Sequence, residues 1–134
     1  MKNIITNIVF LFVSVVGFAG GIPNGSKLVL TKINGKSVEQ NNIYLTIDTE
    51  KQIIFGNSGC NNFSLNYTSK NNSNCIKTKI PMGTLMACEQ TTMEAETNFI
   101  NTIKERKIKI KTTKNKVFFK NRFGKTIMEL KIEN

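Results

Sequence analysis

Three cysteines, at positions 60, 75 and 88, carry most of the chemistry this sequence could offer. Cys60 lies in Gly59-Cys60-Asn61, and Cys88 ends Met86-Ala87-Cys88, just ahead of a helix-like stretch. A nucleophilic cysteine needs a base, usually histidine, or a strongly electropositive site to form thiolate. The chain has no histidine. A tight turn in which Gly59 and Asn61 accept positive φ, with Cys60 packed inward, explains the same residues without catalysis. Cys88 stands where a helix start would stabilise a thiolate, but a buried or bridged role is the expectation there too. Three cysteines with no histidine and no C-x-x-C pair fall short of zinc-site spacing, so no metal and no cofactor is expected. Asp48, Glu50, Glu89, Glu94 and Glu96 are the carboxylates that acid–base chemistry would draw on, and nothing in their spacing forces two into one cleft. No phosphate loop, triad or dinucleotide fingerprint is present. The residues predict a protein that is not an enzyme.

Whether the cysteines pair depends on the compartment. Met1-Lys2 is followed by an apolar run over residues 4–18, with Gly17 and Ala19 at the small-residue positions of a cut after Ala19. Residues 1–19 therefore read as a signal peptide and 20–26 as a linker, with one domain over 27–134. A membrane anchor is the alternative, but the run is shorter than the ~20 residues a spanning helix needs. The expected location is secreted, periplasmic or envelope-associated, where disulfides persist. Three cysteines then give one pair and one free thiol, and spacing leaves Cys60–Cys88, Cys60–Cys75 and Cys75–Cys88 all open.

The formal charge is +10 over 134 residues. From residue 101 onward there are eleven Lys/Arg and three Glu, a net +8. Lys107, Lys109 and Lys111 alternate with Ile108 and Ile110, which puts three charges on one strand face. Lys114, Lys116, Lys120, Arg122 and Lys125 add to the region. One reading is a face for an anionic partner, a membrane or polysaccharide surface. The simpler reading is an edge strand whose lysines guard it against pairing. Of the adjacent Phe118 and Phe119, at most one points outward, so no specific nucleic-acid site is expected.

The elements that would position these residues are mostly strands. Alternating or β-rich runs cover residues 27–33, 43–47, 52–55, 63–67, 75–80, 107–111, 117–119 and 126–132. Asn34-Gly35 signals a tight turn after the first of them. One helix is expected from about residue 89 to 107, with Met93, Phe99, Ile100 and Ile103 toward the core. Thr91 or Thr92 would cap it, Glu94 and Glu96 would sit near its start, and Lys104, Arg106 and Lys107 near its end. The fold class is α+β: a single compact domain, an antiparallel sheet or partly open barrel of seven or eight strands with one inserted helix.

The order of these features resembles the META domain family, also called HslJ-like. The matching residues are Ile33-Asn34-Gly35, Gly56, Gly59-Cys60-Asn61, Phe63, Tyr67, Thr84, Met86-Ala87-Cys88, Glu96, Phe99 and Ile103. Three departures stand out: Leu28 where the family has tryptophan, Leu65 near a usual glycine, and the extra Cys75. The resemblance implies that the two cysteine motifs lie close, so that Cys60 pairs with Cys88 and Cys75 stays free. It implies a structural role for the motif residues, with Glu96 making a helix-surface or buried structural contact, such as bonding the turn around Asn61. It also implies a non-enzymatic, monomeric domain that binds an unknown protein or envelope component. The family is associated with heat stress and antibiotic tolerance in bacterial envelopes, and with virulence or secretion in some parasites. A second expectation is a secreted protease inhibitor presenting residues 56–62 or 68–74 as a rigid loop.

Overall fold

A computed structural model describes residues 21–70 and 73–133. The expected signal peptide lies outside the described residues. Ten strands and one α-helix follow in order: β1 Lys27–Ile33, β2 Lys36–Ser37, β3 Tyr44–Asp48, β4 Ile53–Asn57, β5 Asn62–Ser69, β6 Cys75–Thr78, β7 Met82–Gly83, α1 Gln90–Ile103, β8 Lys107–Thr112, β9 Lys116–Lys120 and β10 Thr126–Glu133. Eight of them pair antiparallel in the order β1-β3-β4-β5-β6-β8-β9-β10, and β10 pairs back onto β1. The fold is α+β, and its sheet is a closed barrel. The short β2 and β7 attach outside that ring, on β1 and β5.

The alternation read from the sequence is what closes the barrel. Leu28, Leu30, Leu45, Ile47, Ile54, Ile108, Ile110, Val117, Phe119 and Leu130 point inward and are buried. A side chain of this size contributes about 1.5–3 kcal/mol on burial. Leu28 and Leu65, which depart from the family pattern, are both in this core. The segment expected as a linker lies against the barrel: the Gly25 N–H donates to the Ile47 carbonyl, and Ile22 packs on the core.

The helix is shorter than expected. Glu89 is its N-cap, without a side-chain cap bond, so neither Thr91 nor Thr92 caps it. Its first and last turns carry no acidic and no basic residue, respectively, because Glu94 and Glu96 fall in its second turn and Lys104 already lies past its end. Phe99 and Ile103, four residues apart, define its inward face, and Phe99 meets Phe63 edge-on with ring centroids 5.2 Å apart. Met93 lies well round the helix from that stripe and is exposed. The buried Thr78 hydroxyl donates to the Ile103 carbonyl at 2.5 Å, tying the helix end to β6.

Candidate functional site

The turn around Cys60 is a buried polar knot. Gly56 must be glycine, because an added Cβ would stand 2.1 Å from the Tyr44 carbonyl oxygen on β3. Gly59 has φ +106°, a conformation that L side chains rarely adopt. Asn61 does not share this role, since its φ is not positive. Its side chain is needed instead. Asn61 Oδ1 accepts from Thr84 Oγ1 at 2.8 Å and from the Met86 N–H at 2.6 Å. Asn61 Nδ2 donates to Glu96 Oε1 at 3.0 Å, and the Asn61 N–H donates to Glu96 Oε2 at 3.0 Å. The Ser58 hydroxyl also donates to Glu96 Oε2. Ser58 and Asn61 are both buried, so each of these partners answers a group that water does not reach freely.

Cys60 and Cys88 form a disulfide with Cα atoms 6.1 Å apart. The bridge, Asn61 and Glu96 thus fasten one turn to residues 84–88 and to α1. Thr84 and Met86 serve through a hydroxyl and a backbone N–H, while the Met86 side chain is exposed. Phe63, Phe99 and Tyr67 are core residues. Burial pushes the Tyr67 phenol above its usual pKa, and the Asp48 carboxylate adds to the effect. Ser58 had no signal in the sequence beyond standing two residues before Cys60. Among the described residues no three of His, Cys, Asp and Glu cluster as a metal site would require.

The knot is closed rather than presented. Of residues 56–62, Ser58, Cys60 and Asn61 are buried, Gly56, Asn57 and Gly59 half-buried, and Asn62 exposed. The knot borders an open groove of about 280 Å³ between Pro81, Leu85, Glu96 and Ile100.

The lysine stripe has a different setting from the one expected of an edge. β8 pairs with β6 on one side and β9 on the other, so it has no free edge to guard. Lys107, Lys109 and Lys111 are exposed on its outer face. In register, Lys107 stands directly opposite Lys77, and Lys109 opposite both Cys75 and Lys120. Like charges directly opposite each other across a sheet are destabilising. Three other lysines of the barrel have carboxylate partners: Lys27 pairs with Glu133 at 3.3 Å, and Glu129 takes Lys116 at 3.4 Å and Lys32 at 3.8 Å. Among the described residues, Lys77, Lys107, Lys109 and Lys111 form no salt bridge.

A groove of about 710 Å³ runs over this face, lined by Lys70, Lys77, Lys107, Lys109 and Arg122, with the free, exposed Cys75 in it. Among the described residues no carboxylate lines it. Lys70 and Lys77 were missed in the sequence, although Lys77 had a signal, since it occupies an outward position of an alternating strand. No helix among the described residues is long and apolar enough to cross a membrane.

A barrel with one helix, a Gly-Cys-Asn knot and a bridge to the segment before the helix defines a recognisable class of domain. The family model of the META domain matches residues 24–133, and the chain belongs to that family. No curated protein matches it. Two solved NMR structures share the fold. One, from Burkholderia xenovorans, is 17% identical with a TM-score of 0.61 and is aligned over 95% of this chain and 99% of its own. The other is 24% identical with a TM-score of 0.58, over 80% and 88% respectively.

Proposed function

We propose that this META domain is an exported, non-catalytic binding domain that holds an anionic component of the cell envelope on the outer face of β6, β8 and β9. The observation that carries the reading is the two pairs of directly opposed lysines, Lys77–Lys107 and Lys109–Lys120, none of which has the carboxylate partner that Lys27, Lys32 and Lys116 have. Such a face carries unrelieved repulsion, and an anionic ligand relieves it. The apolar run ahead of the domain and the Cys60–Cys88 bridge fit an oxidising, exported setting. In this reading the domain acts as a monomer without cofactor, in envelope maintenance under stress, the setting that the family resemblance implies.

The test separates a site from mere basicity. Lys107→Gln/Lys109→Gln removes two charges from the face, and Lys36→Gln/Lys51→Gln removes two from exposed positions outside the groove. Binding to dextran sulfate and to anionic vesicles should fall in the first variant and stay near wild type in the second. Equal loss in both would reduce the face to net charge and end the proposal.

A further inference from the structure

We propose that the turn joining β9 to β10 is a docking tip for an anionic lipid bilayer, with Phe123 entering the headgroup layer while flanking cations hold lipid phosphates. The inference rests on the reading above, that the basic face holds an anionic envelope component, and names that component. Phe123 is 82% exposed, the most exposed aromatic ring among the described residues. Its turn is locked from within. Asn121 Oδ1 accepts from the N–H groups of Phe123 at 2.9 Å and Lys125 at 3.0 Å. The Asn121 N–H donates to the Lys125 carbonyl at 2.8 Å, and the Gly124 N–H to the Asn121 carbonyl at 2.9 Å. An apolar ring is therefore held out in water by a preordered loop with no partner of its own beyond the Arg122 guanidinium, 5.2 Å from its centroid.

The setting of that ring is cationic on both sides. The 710 Å³ groove described above reaches Arg122 and Gly124 from one side. A second groove, of about 570 Å³, holds Phe123 itself together with Lys77, Lys104, Arg106, Lys107 and Arg122, against the single carboxylate of Glu105. A bilayer surface offers matching chemistry in the matching order: phosphates outermost, then apolar chains. Aromatic side chains favour that boundary. A soluble polyanion would use the cations but has no use for the ring. A single-stranded nucleic acid would stack on several rings along a groove. Here Phe118, an outward aromatic of β9 opposite Lys111, is half-buried. One ring plus a basic patch gives reversible docking rather than anchoring.

The chain has no tryptophan, so Phe123→Trp supplies a sole indole reporter at the tip. Vesicles containing phosphatidylglycerol should shift its emission to the blue, and brominated acyl chains should quench it, both more weakly as salt rises. Neutral phosphatidylcholine vesicles should do neither. Phe123→Ser should bind anionic vesicles roughly tenfold more weakly, with dextran sulfate binding unchanged. If dextran sulfate binds but the indole ignores vesicles, or if Phe123→Ser binds vesicles like wild type, the tip is refuted and the basic face stands. If the indole responds to a single-stranded oligonucleotide and not to vesicles, the partner is the wrong one. If neither polyanion nor vesicle binds, both readings fail together.

Discussion

Replacing Glu96 with alanine removes the acceptor on which the buried turn converges. Three donors lose a partner: the Ser58 hydroxyl, the Asn61 N–H and Asn61 Nδ2. Ser58 keeps the Asn61 carbonyl as an alternative at 2.9 Å, so the loss falls mainly on Asn61, which is 7% exposed. Hydrogen bonds to a charged group contribute about 1.5–3 kcal/mol each. Glu96 is half-buried beside an open groove, so water recovers part of two such bonds, and a net loss of ~2–3 kcal/mol is expected. For a domain of this size each kcal/mol moves Tm by about 4 °C, a fall of roughly 8–12 °C. Glu96→Gln should lose less, though not nothing. Both carboxylate oxygens accept from donors, so either amide orientation sets an NH2 against one of them. Thermal and urea unfolding of the oxidised protein measure this. The double variant Asn61→Ala/Glu96→Ala should show coupling of at least about 1 kcal/mol. A loss below about 1 kcal/mol, or additive single effects, would refute the account of the knot.

Breaking the bridge with Cys88→Ser opens a loop of sequence separation 28 and should cost about 3.5 kcal/mol in the chain-entropy model. Non-reducing peptide maps should show Cys60 joined to Cys88, and a maleimide should label Cys75 alone in the native protein. Gly56→Ala forces a Cβ against the Tyr44 carbonyl at 2.1 Å and should destabilise by more than about 3 kcal/mol, read as loss of soluble folded protein. The raised pKa of buried Tyr67 makes stability fall as pH rises past the unfolded value of 10.0, because the unfolded state then releases its proton first. Alkaline unfolding of Tyr67→Phe should show a shallower pH dependence in that window.

The strands were legible because each long one alternates, and the alternation reports one buried and one wet face. β2 and β7 were not, since two residues carry no period. Closure of the barrel was also invisible: it depends on Lys27 meeting Glu133 from opposite ends of the domain, which no local pattern encodes. For the same reason the lysines of β8 read as an edge until β6 and β9 were seen to flank them. The helix cap was misread because Thr91 and Thr92 have cap chemistry, yet the chain becomes helical at Gln90, before either. Asn61 acts through its side chain, with three polar partners, where its type and place in a turn suggested only backbone tolerance. The Cys60–Cys88 pairing came from the family pattern, since spacing left three pairings open. The basic groove needed the fold, which brings Lys77 and Arg122 beside Lys107.

The most direct measurement is the partition of wild type and Lys107→Gln/Lys109→Gln/Lys111→Gln onto anionic vesicles at physiological salt. The substitutions keep the outward positions polar, so Ile108 and Ile110 should stay packed, and circular dichroism should be unchanged. Each lysine near such a surface contributes about 1 kcal/mol, so three amount to ~3 kcal/mol and roughly a hundredfold in affinity. The account predicts that loss, with wild-type binding that weakens as salt rises. Equal partition of the two proteins, or no binding by either, would contradict it.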